Sequence, residues 1–422
     1  VYNDFRFYLG KIHRSEDFDF LMNGICRILK NPIQVRTSEK FAIYGLETDR
    51  VLSVLAALMY FALEARSNPA QIGLVRMCCF VLHRLSQDRN FGVQLNTPFD
   101  HSTLGALAKM IPVFSSGCWG DFLFLGIHAL LTTSGRSPIF QMHENFLICI
   151  ANVSPYIKNL TVTTTTKLLT LFHSFSSPAF LLAHESNHKL IFYLLEVFNN
   201  IIQYQITGNT HLVYAIVQAK QKFHDLHSLT YEKALVELER LRTLKQQRLA
   251  ARQGSEKELS PEAPTSPVSS SESLERRDSG AGSNAGSEHA ADVAEEGSAP
   301  EMSEKARGKR PAIEKPPSPG PESRQALFDS KGRFRGSEKW FFMWHPHLPL
   351  AVILTLVDSL GPTIEELCIS KGFNDDKKVL EYLQSGTLVG LLPLPHPIFV
   401  RRFNVTEAVR TWFSGYFWVR LF

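Results

Sequence analysis

The chain has 422 residues, of which 44% are hydrophobic and 20% are charged, so it holds enough apolar side chains for a large folded core. Its formal net charge is only +4, which does not favour a nucleic-acid-binding protein. The longest near-apolar run, residues 51–63, is shorter than the roughly 20 residues that a membrane-spanning helix needs, so no transmembrane segment is predicted.

Helix-length apolar stretches dominate the chain from about residue 14 to residue 228, and short breaks containing Gly, Pro, Asn or Ser separate them. The predicted helices include 48–66, 70–85, 120–131, 143–153, 163–175 and 184–204. Helices of this length with short links favour stacked helical hairpins. We therefore predict an all-α, HEAT/armadillo-like helical-repeat stack, with an irregular helical domain as the alternative.

The stretch between Tyr231 and Phe328 contains no aromatic residue, although the whole chain has 30 Phe, 11 Tyr and 5 Trp. From residue 253 to 336 it is rich in Ser, Pro, Gly, Glu and Ala, a composition that cannot bury enough apolar surface to fold. The predicted organisation is a helical-repeat region at 1–252, a disordered insert at 253–336 and a C-terminal helical region at 337–422. Ser266, Ser279 and Ser318 are candidate phosphorylation sites in the insert.

Aromatic residues return directly after the insert. They comprise Trp340, Phe341, Phe342 and Trp344, followed near the end of the chain by Trp412, Phe413, Tyr416, Phe417 and Trp418. The C-terminal region 337–422 is too small to bury these rings by itself. We therefore expect it to complete the fold of residues 1–252. Gly361-Pro362, Gly372 and Ser385-Gly386 predict three short helices, and residues 405–422 predict a last one.

Prolines alternate with other residues at Pro393, Pro395 and Pro397, which predicts an extended path from residue 386 to 398. We call this segment the strap. Its many leucines favour a position in a groove against the helices.

The string His184-Glu185-Ser186-Asn187-His188 matches HExxH, which in zinc peptidases places two histidine ligands and a general base on one helix. No third ligand follows at the expected spacing, because Leu190-Ile191-Phe192 stands where a metzincin motif would continue. The alternative interpretation is a solvated helix start. We expect no metal, no cofactor and no enzymatic activity.

A basic stretch from Arg240 to Arg252 contains five cations and no acidic residue. Its cations are Arg240, Arg242, Lys245, Arg248 and Arg252. This pattern is typical of a solvated helix end, and also of contact with an anionic membrane surface or an acidic partner. The six cysteines have no CxxC pair and indicate reduced, buried thiols.

Four strings together resemble the high-temperature-induced dauer-formation protein family, which is related to dymeclin. They are residues 89–96 (RNFGVQLN), 152–156 (NVSPY), 194–204 (LLEVFNNIIQY) and the strap. The resemblance implies a helical, non-enzymatic peripheral membrane protein on the cytoplasmic face of the Golgi and trans-Golgi network. It also implies membrane contact through an N-terminal myristoylated glycine, which this chain, beginning at Val1, does not contain.

The predicted function is therefore a scaffold that binds other proteins at Golgi membranes in protein sorting, vesicle traffic or secretory-granule formation, with neither nucleic acid nor a small-molecule substrate as partner. One alternative is a zinc metallopeptidase that uses His184, Glu185 and His188. Another is a transport-receptor-like solenoid with a charged concave face.

Overall fold

The computed structural model describes residues 14, 16–17, 50–99, 109–112, 114, 117–132, 138–258, 334, 336–370, 376–385 and 392–403. The regular elements in these ranges are helices, and the one sheet-like pairing among them is an isolated bridge between Pro98 and Cys118. The predicted all-α fold is confirmed. The helices are α1 Arg50–Ala65, α2 Ile72–Ser86, α3 Arg89–Gln94, α4 Trp119–Leu131, α5 His143–Val153, α6 Val162–Phe175, α7 Pro178–Leu181, α8 Asn187–Gln205, α9 Thr210–Gln218, α10 Lys220–His227, α11 Tyr231–Glu258, α12 Glu338–Trp344, α13 Ala351–Ser370 and α14 Asp376–Ser385.

Helices α1 and α2, which correspond to the predicted helices 48–66 and 70–85, pack on each other and are joined by a short turn. Asn68 caps this turn by accepting a hydrogen bond from the backbone N–H of Ala70, and Pro69 follows at a position where no N–H is needed. The pair packs further on α4 and α5. Whether such pairs form a true structural repeat stays a prediction.

Helix α8 is the central element of the fold. Fourteen of its nineteen residues are buried, so it is enclosed on nearly every side instead of presenting one apolar stripe. It contacts α5, α6 and α13 as well as the 3₁₀ turn Ser154–Tyr156. A polar side chain on this helix therefore needs a partner inside the protein.

The helices after residue 336 pack against the helices before residue 230. Trp340, Phe341 and Trp344 of α12 are almost fully buried, whereas Phe342 is 59% exposed, contrary to the expectation that all these rings are covered. Asn199 of α8 donates a hydrogen bond to the carbonyl oxygen of Pro349 at 2.7 Å. These contacts lie within one compact unit, residues 1–239 and 316–422.

One predicted helix boundary is wrong. Gly361-Pro362 does not end a helix, because α13 continues through Pro362 to Ser370. A proline inside a helix costs about 3 kcal/mol. Packing of α13 against α8, α9 and α10 outweighs that cost.

Helix α11 extends to Glu258, beyond the predicted start of the insert at residue 253. Most of the predicted insert lies outside the described residues, as does the predicted helix 405–422, so the predicted boundaries and disorder stay predictions. Residues 240–315 form a second unit by their contacts.

No single described helix is long and apolar enough to cross a membrane. By length and composition alone, residues 338–347 and 351–367 pass that test together, across a bend of 62°.

Candidate functional site

The residues of the HExxH string do not lie on one helix. His184 and Glu185 lie in the turn before α8. The Nδ1 atom of His184 lies 2.9 Å from the hydroxyl of Ser186. His188 is 1% exposed, and its ring stacks on Trp344 at 5.3 Å between centroids.

His188 is buried against the rings of Trp340 and Trp344. Within the ranges that the structure describes, no three His, Cys, Asp or Glu side chains are grouped to hold a metal ion. The metallopeptidase alternative is therefore not supported. His188 belongs to the aromatic contact between α8 and α12.

Two of the strings that carry the family resemblance contact each other directly. The side-chain amide of Asn96 donates to the carbonyl of Tyr156 at 2.9 Å, and its oxygen accepts from the backbone N–H of Lys158 at 2.7 Å. A Cβ atom on Gly92 would lie 2.6 Å from Cδ2 of Tyr156, so only glycine allows α3 to approach this ring. The strings 89–96 and 152–156 are thus two sides of one contact.

The third string joins the same contact from α8. The Asn200 amide donates to the carbonyl of Ala151 at 3.1 Å and lies 3.0 Å from the hydroxyl of Ser154. Gln205, just after the string, donates to the carbonyl of Pro155 at 2.9 Å. These bonds satisfy carbonyl groups at the C-terminal end of α5 and in the turn that follows it.

Arg401, three residues beyond the strap, completes this arrangement. Its guanidinium makes two hydrogen bonds to the carboxylate of Glu196, at 2.8 and 3.1 Å, and both side chains are at least nine-tenths buried. Its backbone N–H donates to the side-chain oxygen of Asn152 at 2.8 Å, and its carbonyl accepts from the amide of Asn152 at 3.0 Å. We call Asn96, Asn152, Glu196, Asn200 and Arg401 the convergence cluster.

Electrostatics in the cluster are set by burial and by the arginine. Burial raises the pKa of Glu196, and the hydrogen bonds and charge of Arg401 oppose that rise. Burial lowers the pKa of His83, whose Nε2 lies 3.0 Å from the carbonyl oxygen of Arg401. The guanidinium also lies 5.1 Å from the ring centre of Tyr193. Arg401, Glu196 and Asn152 thus form a buried clamp that joins the segment around residue 401 to α5 and α8.

The prediction that the strap lies in a groove is wrong for its described part. Leu394 is 90% exposed, and Ile398 and the following Phe399 are 38% and 55% exposed. The segment is fastened by Arg401 and by Phe403, whose ring packs on Phe80 at 5.0 Å. The buried contacts of this segment therefore come after the strap.

The basic stretch lies within α11. Arg240 and Arg242 are exposed, as are Leu235, Val236 and Leu244. Lys245, Arg248 and Arg252 occupy helical positions, and their side chains lie outside the described residues. Helical geometry places positions 242, 245, 248 and 252 on one side of the helix, because their spacings are three and four residues.

Other predicted features have mixed outcomes. Ser266, Ser279 and Ser318 lie outside the described residues, so phosphorylation stays a prediction. Cys78, Cys79, Cys118 and Cys149 are buried free thiols, as predicted. Burial raises the pKa of Cys78 to about 12, which keeps that thiol protonated.

Comparison with known proteins gives matches along the whole chain. It is 35% identical to Protein HID1 of mouse, over 97% of this chain and 55% of that protein. It is 25% identical to Protein HID1 of Dictyostelium discoideum, over 99% of this chain and 52% of that protein. The chain thus spans about half the length of these relatives.

A further relative in Schizosaccharomyces pombe, the Ubp5-interacting protein ftp105, is 26% identical over 54% of this chain and 27% of its own length. No solved structure matches. The model of the high-temperature-induced dauer-formation protein family matches residues 1–40 and 35–422. The chain therefore belongs to the high-temperature-induced dauer-formation protein family.

Proposed function

We propose that the chain is part of a non-enzymatic peripheral-membrane scaffold. It acts at the cytoplasmic face of the Golgi and trans-Golgi network, in protein sorting, vesicle traffic or secretory-granule formation. Membership of the family supports a non-enzymatic protein of this kind. The name of the yeast relative, which describes binding to another protein, supports a role in protein interactions.

The observation that carries the membrane part of the proposal is the basic stretch of α11. Its described side chains are mostly exposed, and it contains five cations and no acidic residue between Arg240 and Arg252. A Lys or Arg close to an anionic membrane surface contributes about 1 kcal/mol of binding free energy. Five of them supply the basic half of a two-signal anchor, in which a lipid chain is the other half.

Flotation of the purified chain with vesicles tests the membrane contact. The test variant replaces the five cations of the basic stretch with Gln, and the control variant replaces five other exposed cations: Lys109, Lys222, Lys233, Lys339 and Arg402. Both variants lose the same charge. We expect the test variant to lose binding to phosphatidylserine vesicles and the control variant to keep it. The wild-type chain should not bind vesicles of phosphatidylcholine alone.

Equal binding by the test and control variants would remove the basic stretch from the proposal. Proximity labelling in cells tests the location and the partners separately. We expect neighbours among Golgi coat, tether or granule-sorting proteins. A neighbourhood that is purely nuclear or extracellular would contradict the scaffold function.

A further inference from the structure

Residues 393–399, which we call the proline segment, lie exposed at the surface of the protein. They comprise the exposed end of the strap and the residue after it. Leu394 is 90% exposed, Ile398 is 38% exposed and Phe399 is 55% exposed. The other strings of the family resemblance take part in buried or half-buried contacts, but these contacts do not involve the proline segment. Contiguous exposed apolar side chains mark a surface that interacts with another molecule.

The backbone of the proline segment has no hydrogen-bond partner within the part of the chain that the structure describes. The segment lies in no helix or strand, and its N–H and C=O groups make no bond to the described residues. Because every second residue from 393 to 397 is proline, its N–H donors belong to Leu394, His396, Ile398 and Phe399. Exposed donors and acceptors of this kind bind either water or a partner chain.

The spacing of the prolines shows which extended conformation suits recognition. A residue before proline is restricted to β or polyproline II conformations, which keeps the segment extended. Polyproline II has three residues per turn, so prolines spaced by two residues would point in three different directions. In a β-strand the side chains alternate, so Pro393, Pro395 and Pro397 share one face. The spacing of two therefore favours recognition as a strand.

A strand with this sequence has one edge that can pair and one that cannot. The N–H and C=O groups of alternate residues in a strand point to the same edge. The edge formed by Leu394, His396 and Ile398 offers three donors and three acceptors, whereas the edge of the prolines lacks three donors. Another strand can therefore join on one edge only, and pairing does not continue into a larger sheet.

The buried clamp holds the C-terminal end of the proline segment. Arg401 is bound by Glu196 and Asn152 in the interior. Its guanidinium also lies 5.1 Å from the ring centre of Phe399. In an extended chain residues 399 and 401 share a face, so this contact turns the odd-numbered face toward the protein and the even-numbered face outward. A segment held at one end loses less freedom on binding than a free peptide does.

A sheet that already exists is the partner that suits this segment. The regular elements of the described ranges are helices, so these ranges contain no strand that could join the segment. A second copy of the segment would form a two-stranded ribbon, which is at best marginally stable in water. A partner with several strands instead offers a fixed edge, together with pockets for alternate side chains.

We propose that the proline segment is a docking strand that extends the open edge of a β-sheet in a partner protein. The N–H and C=O groups of Leu394, His396 and Ile398 pair with that edge. The side chains of Leu394 and Ile398 occupy apolar pockets on one face of the partner sheet. The proposal rests on the scaffold function only in requiring a protein partner, so it does not depend on a location at the Golgi.

Site-specific photo-crosslinking of the full chain in cells tests this contact. A benzophenone side chain replaces Phe399, whose side chain and N–H lie away from the pairing edge and its apolar anchors. The control carries the same group at Phe342 of α12, which is 59% exposed compared with 55% for Phe399. We expect a protein that is cross-linked from position 399 and not from position 342. The cross-linked residue should lie on or beside an edge strand of that protein.

Competing peptides test the backbone pairing. A synthetic peptide with the sequence of residues 392–403 should inhibit the cross-link. The same peptide N-methylated at the amides of Leu394, His396 and Ile398 lacks three donors and should inhibit at least about tenfold less well. The control peptide is N-methylated at Phe399, on the opposite edge, and should inhibit like the unmodified peptide.

His396→Pro removes the central N–H of the pairing edge from the chain itself. It should weaken binding of the purified cross-linked protein about three- to tenfold. His396→Ala keeps this N–H and should bind like wild type. His396 is exposed and already precedes a proline, so neither change should alter the thermal unfolding of the chain.

Several results would overturn the docking strand. One is an absence of cross-linking from position 399, or equal cross-linking from position 342. Another is a cross-link to lipid or to a second copy of this chain. Equal inhibition by all three peptides, or equal binding by His396→Pro and His396→Ala, would exclude backbone pairing. Slow amide exchange at Leu394, His396 and Ile398 in the chain alone would show that the chain itself covers this edge.

Discussion

Replacement of Arg401 by Met tests whether the buried clamp holds the C-terminal segment on the fold. The change keeps the two backbone bonds to Asn152 and a long apolar side chain, but it removes the guanidinium from the Glu196 carboxylate. Removing one partner of a buried ion pair costs about 3 to 5 kcal/mol, because the other charge stays buried and unpaired. That is a large fraction of the roughly 5 to 15 kcal/mol that stabilises a domain.

The double variant Arg401→Met/Glu196→Met separates two costs of the single change. One is the loss of the attraction between the two side chains, and the other is the cost of leaving the Glu196 carboxylate buried without a partner. Apolar replacement of a whole buried pair is often neutral or stabilising, so the double variant should be more stable than Arg401→Met alone. Arg402→Met is the matched control, because Arg402 is the adjacent arginine and is exposed. We expect it to change the free energy of unfolding by no more than about 0.5 kcal/mol.

The loss of unfolding free energy in Arg401→Met should also depend on pH. Burial raises the pKa of Glu196 and Arg401 opposes that rise, so removal of the arginine raises the folded-state pKa further above that of the unfolded chain. A carboxyl group of this kind favours the folded state at low pH, and that contribution is lost as pH rises through the folded-state pKa. The deficit relative to wild type should therefore be smaller at about pH 5 than at about pH 8.

Urea unfolding of five proteins measures these differences: wild type, Arg401→Met, Glu196→Met, the double variant and Arg402→Met. Amide hydrogen exchange of residues 399–403 shows whether the segment detaches first. The clamp would be refuted by an Arg401→Met variant as stable as Arg402→Met. A double variant that loses the sum of the two single losses would refute the coupling between the side chains.

Three further substitutions test other parts of the fold. Gly92→Ala places a Cβ 2.6 Å from the ring of Tyr156 and should lower the free energy of unfolding by about 1 to 3 kcal/mol, measured by urea unfolding. Asp121→Asn removes the charge that accepts hydrogen bonds from Thr164 and its neighbours and should cost about 1.5 to 3 kcal/mol; an unchanged melting temperature would contradict this. His188→Ala should destabilise the contact of α8 with α12 by about 2 to 4 kcal/mol without changing zinc content in elemental analysis, whereas a stoichiometric zinc that disappears on substitution would restore the peptidase hypothesis.

The helices before residue 230 were predictable because their apolar stretches have the length of helices and end at recognisable breaks. The turn at Ser67-Asn68-Pro69 and the starts of α5 and α6 lie within a few residues of the predictions. At Pro362 the same reasoning failed, since local propensity favours a break and tertiary packing does not allow one. Prediction from local pattern therefore worked where packing and propensity agreed.

The clamp was missed because its partners are far apart in sequence. Arg401 lies 205 residues from Glu196 and 249 from Asn152. One signal was present: Glu196 is a lone carboxylate within the apolar sequence Leu194 to Phe198, and a buried carboxylate requires a donor or a cation. The sequence alone does not identify that cation. Arg401 and the adjacent Arg402 have the same side chain, and only the fold shows that Arg401 is the buried one.

The location of the resemblance strings bears on where partners bind. Three strings meet in the convergence cluster, and the fourth is fastened beside it through Arg401, with contacts that are mostly buried or half-buried. The buried residues of these strings act on the stability of the fold and are not accessible to another protein. The strap differs, because Leu394 is 90% exposed, so its apolar side chains remain accessible at the surface. The described cations of the basic stretch of α11, Arg240 and Arg242, are also exposed, and substitutions there should alter binding while leaving the free energy of unfolding nearly unchanged.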